Sequence, residues 1–238
     1  MPGGIDRLLN RLDARRVAGA CGIVAFITFN VGWIAGDVVQ PAAFSPARDD
    51  ISDLGALTAA SPWLYDRLAA NVSGLLLIVL ALGLWRTLGA RRTASIGCLA
   101  LLVVGAGMFL DGIFRLDCQG IDAGCVNDSW HSHAHKLESS VTLVATFVAL
   151  ISLALALRKT PALRSAWLPV LAAVPGLFVA NVAFSVFGAG AATRAGTVVV
   201  FAGFGYVALR LLLQERASLM RCESDKAVGQ ICPSANRR

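Results

Sequence analysis

Charged side chains are scarce in this sequence. Asp, Glu, Lys and Arg make up 15% of its 238 residues, whereas soluble domains carry about 25%. The mean hydropathy is +0.67 and 56% of the residues are hydrophobic, which excludes an ordinary soluble domain. The net charge of +6 does not indicate nucleic-acid binding, because no nucleic-acid-binding motif is present and the arginines cluster at the ends of apolar runs. No nucleic acid is expected as a partner.

The sequence also lacks the short motifs of several enzyme classes. It contains no nucleophile elbow, Walker loop, dinucleotide fingerprint or zincin motif. Its three histidines all lie in the segment HSHAH at 131–135, and none follows. This excludes a three-histidine zinc site assembled from two separated histidine pairs.

What the sequence does have is six apolar runs of membrane-spanning length, roughly 20 residues each. The predicted fold class is therefore all-α, a polytopic transmembrane six-helix bundle. The first run is too long and too late for a typical secretory signal, so it is expected to be retained. A basic amphipathic lead (1–16) and a charged, mobile tail (214–238) are expected to flank the transmembrane domain (17–213). The predicted spans are 17–39, 68–85, 93–114, 139–157, 166–187 and 195–213.

The distribution of basic residues predicts the orientation of the bundle. With a cytoplasmic N-terminus, the cytoplasmic segments hold all but five of the 21 lysines and arginines. The five are Arg48, Arg67, Arg115, Lys136 and Arg194. Acidic residues show the opposite bias. Both termini are thus predicted to be cytoplasmic, in a multi-pass protein of the plasma membrane, with outer loops over 40–67 and 115–138.

Two cysteines, Cys118 and Cys125, fall in the second outer loop. Disulfides persist on the oxidising side of a membrane, and this spacing closes a small ring. A Cys118–Cys125 disulfide is predicted, with a pair of free thiols as the alternative. The other four cysteines lie in or near the cytoplasmic side and are expected to stay reduced.

The histidine segment is the main candidate for chemistry. If Asp128 or Ser129 caps a helix there, His131 and His135 lie on one face, a spacing that lets both reach one metal ion. Asp117, held nearby by the disulfide ring, could add a carboxylate ligand or orient a histidine. Two imidazoles and one carboxylate suit zinc and a metal-activated water. The alternative is that the histidines are solvated or hydrogen-bond lipid headgroups.

Three further residues are candidate catalytic groups. In the ISDLG segment, Ser52 and Asp53 either cap a short helix or turn, or line a headgroup pocket beneath the histidines. Asp111 lies among apolar residues near the outer end of the third run, where an ionisable side chain is costly. It is expected to pair with Arg115 or with the histidines.

The order of these motifs resembles a bacterial six-helix membrane family, domain of unknown function 998, over roughly 17–213. The resemblance implies the six-span fold and implies that Asp117, His131 and His135 act together, but it implies no reaction. The sequence departs from the pattern at Arg115-Leu116, where a proline and a small residue are commoner, and in its two loop cysteines. The matching residues are Ser45-Pro46, Ile51 to Gly55, Phe114 with Asp117, and His131 with His135.

Two functions are compatible with these features. The first is a lipid-directed hydrolase or transferase at the outer membrane face, with zinc as the candidate cofactor. The second is a non-enzymatic sensor, scaffold or small transporter whose outer loops bind a ligand or partner. The lipid bilayer is a partner in either case, a lipid or small-molecule ligand is expected at the outer face, and no oligomeric state is predicted.

Overall fold

The computed structural model describes residues 3–227, with side chains over 14–214. That part of the chain is helical and contains no strand. A 3-10 turn covers Ile51–Gly55, a π-helical segment at Leu64–Val72 runs directly into the second helix, and a second 3-10 turn covers Pro161–Ala166. The helices are α1 (Gly3–Val38), α2 (Ser73–Leu88), α3 (Arg92–Asp111), α4 (Trp130–Arg158), α5 (Trp167–Ser185) and α6 (Ala189–Ala227).

Within the described residues, six helices are long and apolar enough to cross a membrane, which confirms the predicted all-α, six-span fold. The candidate spans are Ala14–Val38, Leu64–Leu88, Arg92–Asp111, Trp130–Arg158, Pro161–Ser185 and Ala189–Gln214. The predicted mobile tail (214–238) begins inside α6, and its last residues, 228–238, lie outside the described part of the chain.

Several helices extend beyond the predicted spans. α4 begins at Trp130 rather than at 139, and the second span begins at Leu64 rather than at 68. Hydrophobicity marks only the length that lies in hydrocarbon, whereas a helix continues as long as its first N–H groups find partners. At α4 the hydroxyl of Ser129 accepts a hydrogen bond from the Ser132 N–H, so the helix starts in the polar segment.

The helices pack as a ring in chain order, and α6 returns against α1 to close it. Leu77, Leu150 and Phe204 are fully buried in the centre. α2 and α3 approach so closely that a Cβ on Gly74 would lie 2.6 Å from the carbonyl oxygen of Gly105. Small residues are common where membrane helices meet in this way.

A buried ion pair joins the C-terminal end of α1 to the N-terminal end of α6. The guanidinium of Arg194 donates to both carboxylate oxygens of Asp37, at 3.0 and 2.7 Å. It also donates to the carbonyls of Asp49 and Gly190, so its charge is fully engaged. α6 starts six residues before the predicted span. These additional residues include Arg194, whose ion pair with Asp37 joins α6 to α1.

Candidate functional site

The two outer loops meet over the end of the bundle. Gln119 is buried, and its side-chain amide donates to the Asp53 carbonyl at 3.1 Å and to the Gln40 side chain at 2.9 Å. Its backbone N–H donates to the Thr58 hydroxyl at 3.0 Å. The loops predicted at 40–67 and 115–138 thus form one polar cap.

The second loop is closed by a Cys118–Cys125 disulfide, which confirms the predicted pairing. The Asn127 side chain braces this ring, because its oxygen accepts from the Asp117 and Cys118 N–H groups and its amide donates to the Cys118 carbonyl. The ring therefore fixes the chain directly before α4.

Asp117 holds the start of α4. Its Oδ2 accepts from the backbone N–H groups of Ser129, at 2.9 Å, and Asp128, at 3.1 Å. Hydrogen bonds from the hydroxyl and backbone N–H of Ser129 lower the pKa of the Asp117 carboxyl. The structure thus uses this predicted ligand as an anchor for the helix that carries the histidines.

The three histidines take three different environments. The ring of His131 lies against that of Trp130, with centroids 3.6 Å apart. His133 is exposed and its Nε2 lies 3.2 Å from an Asp128 carboxylate oxygen. His135 is buried at the α3–α4 contact. The helical spacing was predicted, but the structure separates His135 from the other two.

His135 is fixed by Asp111, at the C-terminal end of α3. Its Nδ1 lies 3.0 Å from Asp111 Oδ1 and 3.1 Å from the carbonyl oxygen of Phe114. Both neighbours are acceptors, so the hydrogen of a neutral ring is assigned to Nδ1 and the lone pair to Nε2. The contact with Asp111 fixes the orientation of the His135 ring.

Glu138 lies one turn after His135 on the same face of α4. It is only 9% exposed, and its Oε1 accepts from the Thr142 hydroxyl at 2.6 Å. Among the described residues, none donates a hydrogen bond to Oε2, which is itself buried. Helix α3 lies close to Glu138 at Gly107. A Cβ on Gly107 would clash with Thr142 and lie 2.8 Å from Glu138 Oε1.

Asp111, His135 and Glu138, here called the acid–imidazole cluster, could together hold a metal ion. Each offers one ligand atom, and these atoms lie within 4.8 Å of one another. Within the described part of the chain, no other set of three histidine, cysteine or acidic side chains meets this criterion. Asp117 and His131 therefore lie outside the cluster.

A cavity of about 330 Å³ opens below the cluster, among helices α1, α3, α4, α5 and α6. Asp111 and Glu138 line its outer end together with Ser52 from the first loop. Deeper in the bundle the walls are largely apolar. They include Phe29, Val104, Met108, Leu177, Val200 and Phe201.

A family model described as "Protein of unknown function (DUF998)" matches residues 23–211, which is most of the chain. The chain belongs to the DUF998 family. The resemblance deduced from the motif order is thereby confirmed. None of the curated proteins and none of the solved structures matches the chain.

In this DUF998 protein, Ser52 and Asp53 have separate roles. Ser52 reaches the cavity, whereas the Asp53 carboxylate accepts from the Asp50 N–H at 3.2 Å in a capping box. Burial, followed by the neighbouring charge of Asp50, raises the pKa of Asp53. Asp53 thus caps the short 3-10 turn, whereas Ser52 lines the cavity.

The arginine expected near Asp111 has a different partner. Arg115 forms an ion pair with Asp66, which is buried at the start of the second span. Asp111 is thereby left to His135, the second of its two predicted partners. Glu138 is not among the candidate site residues predicted from the sequence. Its one available signal was the spacing His135-x-x-Glu138, which places both residues on one helix face.

Proposed function

We propose that this protein is a metal-dependent hydrolase or transferase that acts on a membrane lipid at the outer face of the bilayer. The observation that carries the proposal is the unpartnered Glu138 oxygen beside Asp111 and His135, at the polar end of a cavity within the bundle. Two buried carboxylates this close repel each other unless a proton or a cation neutralises them. The imidazole of His135, which lies beside both carboxylates, offers a nitrogen ligand and makes a divalent cation a suitable neutraliser.

Zinc suits this ligand set. Asp111, His135 and Glu138 would hold it, and an ion with three protein ligands keeps a position open for water or substrate. When bound, it would supply Lewis-acid polarisation and a water that ionises near neutral pH.

For hydrolysis, the water oxygen forms a bond to the acyl carbon or phosphorus of the lipid, and the bond to the leaving oxygen breaks. The proton released by water is transferred to the leaving oxygen, so the products are an acid and an alcohol. A transferase would use an alcohol in place of water. Ser52, at the rim of the same cavity, is placed to hydrogen-bond the polar group of the lipid.

The membrane orientation belongs to the same proposal. Both termini are proposed to be cytoplasmic in the plasma membrane, because the basic residues are biased to that side and the Cys118–Cys125 disulfide lies on the opposite one. Alkaline phosphatase inserted after Gly124 should be active, and the same enzyme fused after Arg238 should be inactive. The reverse pattern would place the cluster on the cytoplasmic side.

The test of the function is metal content together with turnover. Protein purified without a histidine tag should contain one zinc per chain, and chelation should abolish fatty-acid or headgroup release from phospholipid vesicles. Glu138→Gln should remove both properties, since a neutral amide binds zinc poorly. His133→Ala is the matched control, because His133 is exposed on the same helix.

One observation supports the non-enzymatic alternative. His135 is already satisfied by Asp111 and by the Phe114 carbonyl, an arrangement that also suits a sensor whose response depends on the charge of one buried imidazole. Zinc-free protein that keeps its full activity in cells would favour that alternative over catalysis.

A further inference from the structure

The walls of the cavity are less polar than their residue types suggest. Thr146 and Thr197 line it, but their hydroxyls donate to the carbonyls of Thr142, at 2.8 Å, and Arg194, at 2.9 Å. The Asn181 amide likewise donates to a carbonyl one turn earlier on its own helix, at 2.8 Å. With those donors used inside their helices, the walls offer little to a polar solute.

Polarity is concentrated at one end. Asp111, Glu138 and Ser52 lie at the outer end, whereas Phe29, Val104 and the other apolar residues line the deeper part. A ligand that matches this distribution has a polar group attached to a hydrocarbon chain.

Exposed lining residues on α4, beside α5, indicate that the cavity opens to the lipid-facing surface between these two helices. Leu143 on α4 lines the cavity and is 53% exposed, and Ser139 one turn above it is also exposed. Deeper in the bundle the same seam is closed by the stacked rings of Phe147 and Phe178, with centroids 5.6 Å apart. Because both helices are candidate spans, the space outside this opening is the hydrocarbon of the bilayer.

The dimensions suit one chain. From Glu138 to Thr146 the cavity follows eight residues of α4, a depth of about 12 Å at 1.5 Å per residue. A methylene group takes about as much space as a water molecule, about 30 Å³, so 330 Å³ holds roughly ten carbons.

We propose that one hydrocarbon chain of a bilayer lipid enters this cavity sideways between α4 and α5 and places its polar linkage at the acid–imidazole cluster. The inference rests on the proposed function for the reaction at that linkage, but chain binding itself does not require the metal. The substrate class is a membrane lipid with an ester linkage near the headgroup, bound through a single chain while any second chain stays in the bilayer.

The experiment uses the full chain in phosphatidylcholine nanodiscs. These contain a trace of phosphatidylcholine whose ten-carbon chain carries a photoreactive diazirine at its methyl end. After irradiation, cross-linked peptides are mapped by mass spectrometry. Cross-links should fall on wall residues such as Val104, Thr146 and Val200. Cross-links confined to outward-facing residues such as Val103 and Val144 would overturn the proposal.

Filling variants sharpen the result. Val104→Phe should reduce cross-linking to the walls about tenfold, equivalent to a loss of about 1.4 kcal/mol in binding. Val103→Phe is the matched control, one residue away and facing outward, and it should leave cross-linking unchanged. Thr197→Phe fills the cavity from α6 in case the first variant does not fold. Equal cross-linking in folded filled and unfilled protein would contradict chain binding.

Zinc is measured on the same samples. Zinc without wall cross-links would refute the chain-entry inference and leave the proposed function standing. Wall cross-links without zinc would refute the metal-dependent function and leave the lipid site standing.

Discussion

His135 Nδ1 lies 3.0 Å from Asp111 Oδ1 and so links the start of α4 to the end of α3. The contact is nearly enclosed, since the two side chains are 7% and 11% exposed. The contact therefore fixes the orientation of the imidazole within the acid–imidazole cluster.

Asp111→Ala should destabilise the protein by about 1–3 kcal/mol, because it leaves a buried imidazole without its carboxylate partner. Thermal unfolding in detergent, followed by tryptophan fluorescence, measures the loss. His133→Ala removes an exposed histidine and should change stability by no more than about 0.5 kcal/mol. Equal effects of the two substitutions would show that the Asp111–His135 contact does not hold α3 to α4.

Asp117 should make the stability depend on pH in the acid range. Its pKa is lowered in the folded protein, so the ionised carboxylate stabilises the fold above its unfolded pKa. That contribution is lost as the pH falls through the lowered folded pKa. Asp117→Asn should therefore have a lower melting temperature than the wild type at neutral pH, and the difference should vanish in strong acid.

Asp128→Asn is the control for Asp117, because the Asp128 side chain is 80% exposed and its contact with α4 is with the exposed His133. A difference between Asp117→Asn and wild type that persists unchanged at every pH would mean that the ionised form of Asp117 is not what holds the helix start.

Asp53 should have the opposite effect. Its raised pKa means that the ionised form disfavours the folded state at pH values above the folded pKa, and that this cost disappears as the pH falls toward the ordinary aspartate range. Asp53→Asn keeps an oxygen that can accept from the Asp50 N–H. It should therefore be at least as stable as the wild type at neutral pH, and its advantage should shrink in acid. A variant that is less stable at neutral pH would contradict this expectation.

The disulfide should contribute measurably to stability. Closing a ring with a sequence separation of 7 is worth about 2 kcal/mol by the entropy of the unfolded chain. The double variant Cys118→Ser, Cys125→Ser should lose about that amount. Dithiothreitol should lower the melting temperature of the wild type and leave that of the variant unchanged. If dithiothreitol lowered the melting temperature of the variant as much as that of the wild type, the loss of stability would not come from the Cys118–Cys125 disulfide.

The six spans were predictable because each needs an apolar run, and the outer-loop disulfide because two cysteines shared one loop. The ends of the helices were less predictable. α4 passes through the largely polar segment 130–138 before its apolar run. The Ser129 hydroxyl accepts from the Ser132 N–H, and Asp117 accepts from the N–H groups of Asp128 and Ser129 directly before the helix. Hydrophobicity does not detect such an extension.

Glu138 could not be predicted as a member of the acid–imidazole cluster for the same reason, the early start of α4. Once α4 starts at Trp130, Glu138 lies inside the helix and one turn from His135, rather than at the end of a loop. The spacing of His131 and His135 predicts that both lie on one face of α4, but it does not predict how much of that face α3 covers. The contact with α3 buries His135 only. The pairing of Arg115 with Asp66 joins residues 49 positions apart in the chain, which no local pattern encodes.

The central claim is that Asp111, His135 and Glu138 bind one metal ion. X-ray absorption at the zinc edge, on tag-free protein loaded with one equivalent of zinc, measures the ligands directly. The account predicts one histidine nitrogen and carboxylate oxygens at about 2.0–2.2 Å, with the histidine signal lost in His135→Ala and retained in His131→Ala and His133→Ala. A spectrum with several histidine nitrogens that survives His135→Ala would place the zinc on the exposed histidines and contradict the claim.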